Sequence, residues 1–155
     1  MKKTFALLVV MLFAVVNIAI AQEEPDYLCF EVKAGTTVSL EKGGRSNPNI
    51  QYSFDKKKWT NFVKLTAEED CKIYFKGINP NGLSFNTYQD FSSFQVTKQF
   101  KCSGNVMSLI DGEGKTTTIP NNYCFCLLFQ NCPLATAPEL PATTLTEFCY
   151  SDMFE

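Results

Sequence analysis

The sequence predicts a mainly β protein, a small antiparallel sandwich followed by the start of a repeat solenoid. Two observations lead there. Between residues 27 and 110 short segments alternate apolar and polar residues and are separated by Gly, Pro, Asn and Asp, which is the signature of half-buried strands joined by turns. After that stretch one unit is written twice: Tyr123-Cys124-Phe125-Cys126-Leu127-Leu128-Phe129-Gln130 lines up with Phe148-Cys149-Tyr150-Ser151-Asp152-Met153-Phe154-Glu155, each residue 25 positions after its counterpart. A period of that size marks a solenoid.

Residues 1–21 read as a secretory signal peptide. Lys2 and Lys3 precede an apolar run from Phe5 to Val16, and Ala19-Ile20-Ala21 supplies an A-x-A cleavage site ahead of Gln22-Glu23-Glu24-Pro25. Cleavage after Ala21 leaves no membrane-inserted segment. The first cysteine of the mature chain, Cys29, follows Asp26-Tyr27-Leu28 and lacks the small residues of a lipoprotein site, so the expected product is secreted or cell-surface and is not a lipoprotein.

The strands follow in order. Residues 27–33 place Leu28, Phe30 and Val32 on one face, and residues 36–41 do the same with Val38 and Leu40. After the loop at Gly43-Gly44, residues 49–54 put Ile50, Tyr52 and Phe54 in period two. A turn at Asp55-Lys56-Lys57-Lys58 then leads to a strand over 59–65. Residues 71–76 direct Ile73 and Phe75 one way and Tyr74 the other. Residues 83–92 have no clear period, and 94–97 and 100–110 resume strand-like alternation. About seven short strands in this span suggest an immunoglobulin-like or related sandwich over residues 22–111.

Residues 112–155 form the second region, about one and a half repeat units. Residues 121–130 are densely apolar without Pro or Gly, which favours a short helix started by Asn121 or Asn122. Residues 134–140 are extended between Pro133 and Pro141. A short helix alternating with a short strand at a period near 25 is the leucine-rich-repeat pattern. About three or more such units are needed before an array is stable, so the sequence reads as the front end of a longer array.

The stretch Ala135-Thr136-Ala137-Pro138-Glu139-Leu140-Pro141-Ala142-Thr143-Thr144-Leu145, followed by Phe148-Cys149-Tyr150-Ser151-Asp152-Met153-Phe154, resembles the repeat of the BspA-like leucine-rich-repeat surface proteins of Bacteroidota. Tyr27-Leu28-Cys29-Phe30, Tyr52-Ser53-Phe54-Asp55, Ile73-Tyr74-Phe75-Lys76-Gly77 and Ser103-Gly104-Asn105-Val106-Met107-Ser108-Leu109 resemble the β-rich module that precedes such repeats. Asn131-Cys132-Pro133-Leu134 departs from the family by one missing residue and a missing Gly. The resemblance implies an exported, non-enzymatic surface protein that binds host extracellular-matrix proteins, other surface proteins or glycans through its repeats.

Composition narrows the chemistry. The chain has 14 basic and 16 acidic residues; without Lys2 and Lys3 the mature chain keeps 12 basic groups and a net charge of −4, a poor balance for nucleic acid. The chain has no His, so triads and imidazole bases have no residue to use. The remaining acid/base candidates, Glu68-Glu69-Asp70 and Asp111 with Glu113, fall in turns, where solvated charge explains them; no enzyme activity and no cofactor are expected. Seven cysteines in an exported chain suggest disulfides, but the odd number argues against a closed set. Cys124 and Cys149 hold one repeat position, as buried thiols would. The spacing of Cys124, Cys126, Cys132 and Cys149 fits no usual zinc pattern, so no metal is expected.

Aromatic residues supply a second reading, a carbohydrate-binding sandwich. Its candidate residues are Tyr52, Trp59, Phe62, Tyr88 and Phe91; the period of Tyr52 with Ile50 and Phe54 favours the core, and Trp59, Tyr88 and Phe91 make the expected platform. Ser53 to Trp59 resembles an Asp-box hairpin, which would explain a turn and not a site. A third reading makes the front domain a structural N-terminal cap for the repeats.

Overall fold

The computed structural model describes residues 24–84 and 86–155. The signal peptide expected over residues 1–21 lies outside them. The described chain is mainly β: β1 (Leu28–Val32), β2 (Thr37–Lys42), β3 (Ile50–Ser53), β4 (Thr60–Asn61), β5 (Lys64–Thr66), β6 (Cys71–Gly77), β7 (Ser92–Val96), β8 (Phe100–Ser103), one helical turn α1 (Ser108–Asp111) and β9 (Leu134–Thr136). A six-stranded sheet runs in the order β4-β3-β6-β1-β8-β9, and a three-stranded sheet in the order β5-β2-β7. The pairings are antiparallel except β8 with β9, which is parallel and makes the larger sheet mixed.

Period-two side chains explain why both sheets close on one core. Across the β1–β6 ladder Leu28 faces Phe75 and Phe30 faces Ile73, and all four are buried. Phe94 of β7 reaches in from the smaller sheet and meets Phe30 at 4.9 Å, Phe75 at 5.2 Å and Phe62 at 5.9 Å between ring centroids. Tilted and edge-on packing of this kind adds to the free energy of burying the rings.

Four elements differ from the sequence expectation. The strand expected over 59–65 is split: β4 pairs with β3, and β5 pairs with β2 in the other sheet. Phe62 lies between them and is buried while Val63 is 76% exposed, so the chain crosses between sheets at the residue that turns inward. Phe54 is 53% exposed although it shares a period with Ile50 and Tyr52. The reason is the next residue: the Asp55 carboxylate accepts hydrogen bonds from Ser53 Oγ and from the N–H groups of Lys57 and Lys58, ending the strand at Ser53. Tyr52 is half-buried against the core. The strand expected over 100–110 stops at Ser103. Gly104 takes φ +71°, where a Cβ would lie 2.1 Å from the Tyr27 carbonyl oxygen, and α1 follows.

The largest difference lies in residues 121–130, which form no helix. Instead their N–H groups divide. Those of Cys126, Leu128, Gln130 and Cys132 donate three residues back, to the carbonyls of Tyr123, Phe125, Leu127 and Phe129. Those of Tyr123, Phe125, Leu127, Phe129 and Asn131 donate across to the carbonyls of Glu147, Cys149, Ser151, Met153 and Glu155. An α-helix keeps its donors for itself and has none for a neighbour. The division is made possible by left-handed residues every fourth position, Tyr123, Leu127 and Asn131 at φ of 60°, 60° and 59°, matched in the second coil by Phe148 and Asp152 at 53° and 50°. Packed between neighbours, residues 124–129 are all buried, which accounts for apolar residues too dense for one helix face.

The two coils lie in the 25-residue register. Tyr123 stacks on Phe148 at 4.9 Å, Phe125 on Tyr150 at 5.7 Å and Phe129 on Phe154 at 5.8 Å, with interplanar angles of 17°, 7° and 3°. Phe94 stacks on the other side of Phe129 at 5.7 Å, and its N–H donates to the Leu128 carbonyl. Phe94, Phe129 and Phe154 thus form one column that ties the sheets to the coils.

Candidate binding surfaces

Trp59 immediately precedes β4, at the edge of the larger sheet. Its indole meets the Tyr27 ring at 4.8 Å, edge to face, and Lys76 Nζ sits 4.3 Å above the indole centroid and 6.0 Å from that of Tyr27. Lys76 belongs to the outward row of β6, with Lys72 and Tyr74; Lys56 Nζ lies 4.9 Å over the Tyr74 ring. Gln51 pairs with both Lys76 and Asn61 in the ladders, placing two amides beside this aromatic and basic face. A cavity of about 210 Å³ opens where Tyr27 and Lys76 meet Asn49 and Gln51.

The other two residues of the expected platform are placed elsewhere. Tyr88 is 45% exposed, and its neighbours are in the second coil: partial loss of water, then the charges of Asp152 and Glu155, raise its phenol above the usual range. Phe91 is half-buried with its ring against Gly43, whose N–H donates to the Phe91 carbonyl. The ring contacts of Trp59 are with Tyr27, and none among the described residues is with Tyr88 or Phe91. Sequence reasoning missed Tyr27, Lys72, Tyr74 and Lys76. The signal for three of them was present: with Ile73 and Phe75 facing inward, β6 turns Lys72, Tyr74 and Lys76 to solvent.

The second surface is the outer side of the last coil. By the pattern of the first coil, the N–H groups of Phe148, Tyr150, Asp152 and Phe154 point away from it, and they have no acceptor among the described residues. Phe148 is 58% and Phe154 46% exposed there. The inner side of the first coil is covered: Ser84 Oγ donates to the Tyr123 carbonyl, and Phe94 to that of Leu128.

Two of the carboxylates considered as acid/base candidates, Asp111 and Asp70, are occupied in turns. Burial pushes the Asp111 carboxyl up, but the N–H groups of Glu113, Thr116, Gly114 and Lys115 outweigh it and hold it below its usual range. Asp70 accepts from Lys33 Nζ and the Ala34 N–H. All seven cysteines are free thiols. Burial pushes Cys124 up to about 12 and Cys126 and Cys132 up to about 11, which makes them poor nucleophiles at neutral pH. No group of three or more Cys, Asp or Glu among the described residues is arranged to hold a metal ion. Comparison with family models, with curated proteins and with solved structures gives no match to this chain.

Proposed function

We propose that this chain is an exported, non-enzymatic cell-surface binding protein of the BspA-like leucine-rich-repeat kind, recognising host or bacterial macromolecules through stacked coils. In this reading the two sheets are an immunoglobulin-like sandwich and residues 112–155 open the array. The observation that carries it is the ladder from residues 123–131 to residues 147–155, with three aromatic pairs stacked at 25-residue spacing. A unit that hands half its N–H groups and one face of each ring to a neighbour is built for an array.

Retention assays test the reading. Beads coated with residues 22–155 are expected to be held on an immobilised extracellular-matrix protein and released by the soluble protein. Beads that bind no matrix protein and no host or bacterial cell would overturn it. Export is checked separately: the secreted chain is expected to begin at Gln22.

A carbohydrate-binding sandwich is the second reading, favoured by Trp59 with Tyr27 and Lys76 beside the amides of Gln51 and Asn61. Its test is a glycan array probed with the same protein, where saturable binding weakened by Trp59→Ala supports it and a blank array removes it. The cover that Ser84 and Phe94 give the first coil suits the front domain to capping as well, a role compatible with either reading.

A further inference from the structure

The outward face of the larger sheet is basic on a chain whose composition is acidic. Lys72, Tyr74 and Lys76 are alternate residues of β6 and share that face, opposite the buried Ile73 and Phe75. The Cys29 thiol lies across the ladder from Tyr74 and feels both Lys72 and Lys56, so the two ammonium groups gather round one part of the face. Glu31 shares the face, directly across the ladder from Lys72 and 4.0 Å from Lys101. Lys56, Lys72 and Lys76 have no carboxylate within salt-bridge distance among the described residues. Lys56 and Lys76 are seated instead over Tyr74 and Trp59, which fixes their charges in place before any ligand arrives.

The geometry selects among anionic partners. The lysine row lies on β6, an interior strand whose backbone groups are committed to β1 and β3, so an acidic peptide lying along that row finds no edge to add to. Lys72 and Lys76 stand about 13 Å apart along the strand, too sparse for a polynucleotide with a phosphate on every sugar. Ring faces and the amides of Gln51 and Asn61 suit the faces and hydroxyls of pyranoses; the cavity beside Tyr27 and Lys76 is lined as well by Asp111 and Glu113, so it gives a place to a neutral sugar and not to an acidic one. We propose that this face binds an acidic polysaccharide that carries a carboxylate or sulfate on alternate sugars. Lys56, Lys72 and Lys76 take the acid groups, and the parts of the half-buried Trp59 and Tyr27 rings that Lys76 leaves open take the sugar. The assignment rests on the carbohydrate reading given above.

Trp59 is the one Trp of the chain, so its emission reports directly on the site. The purified protein is titrated with hyaluronate oligosaccharides, with neutral dextran of similar length and with oligo(dT). Hyaluronate is expected to change the emission saturably and dextran is not, with the response largely lost at high salt. Lys72→Gln and Lys76→Gln are each expected to weaken binding about two- to fivefold, as loss of one exposed charge does, with circular dichroism unchanged. An equal response to dextran would remove the acidic assignment and leave the carbohydrate reading standing. Tighter binding of oligo(dT) would give the face to nucleic acid, and silence with all three would remove both the assignment and the reading beneath it.

Discussion

In the two sheets every second side chain turns inward; in the coil stack every second N–H turns toward the next coil. Both regions use a period of two, but the sheets spend it on side chains and the coils on the backbone. The sheets can therefore close on themselves, with Phe30, Phe75 and Phe94 meeting in one core. The coils cannot close: a unit that gives alternate donors away presents the equivalent donors, Phe148, Tyr150, Asp152 and Phe154 in the second coil, at its outer side. Stability in the first region comes from an apolar interior; the second shares that interior through Phe125, Leu128, Phe129 and Met153 and adds register with a neighbour.

Phe94 belongs to both regions, and removing it is the strongest way to break the comparison. Phe94→Ala is expected to cost about 3–5 kcal/mol, as for a fully buried aromatic ring. In urea titrations followed by amide signals, sheet and coil should lose stability together; a loss confined to the sheets would mean that the coils stand alone. Asn131→Val strikes only the coils. Asn131 is exposed and left-handed, a conformation Asn tolerates and a β-branched residue resists, so a loss of about 1–2 kcal/mol is expected without any change in packing. An unchanged midpoint in the same titration would show that the left-handed residues are dispensable.

Tyr150 sharpens the contrast in the other direction. Its hydroxyl is buried without a hydrogen-bond partner while its ring stacks on Phe125, and burial pushes the phenol up to about 12. Tyr150→Phe keeps the stack and removes the orphaned group, so thermal melts should show equal stability or a gain of about 1 kcal/mol. A clear loss would place an unseen partner at that oxygen. The smallest effect concerns the Asp55 turn. Backbone N–H groups of Lys58 and Lys57, then Ser53, hold this carboxyl down to about 2, from 3.8. Its contribution is present above the unfolded value and is lost as pH falls toward 2. The Lys57 and Lys58 amide shifts should titrate with a midpoint near 2, and a midpoint near 4 would mean that the hydrogen bonds are not formed.

How legible each region was follows from where its period lives. Alternation at Leu28, Phe30 and Val32 or at Ile73 and Phe75 is written in side chains, so the main strands could be read within a residue or two at their ends. Phe54 and the strand over 100–110 were misread because an Asp55 side chain and a Gly104 backbone cut the pattern short. In the coils the 25-residue register was legible from matched aromatics, but the conformation was not. Residues 124–129 are apolar throughout, and the division of donors that replaces a helix leaves no mark on side-chain periodicity. Of the aromatic platform Trp59 found partners, yet they came from β6 and from Tyr27, residues that a search for aromatic clusters along the chain does not connect.

The most direct measurement is residue-resolved hydrogen exchange across both coils of the purified protein. The structure predicts continuous protection from Phe125 to Asn131, where odd and even N–H groups are both bonded. In the second coil it predicts alternation: Cys149, Ser151 and Met153 protected, with Phe148, Tyr150, Asp152 and Phe154 open. A helical pattern in residues 122–130, or uniformly fast exchange through both coils, would contradict the division of donors between the two coils.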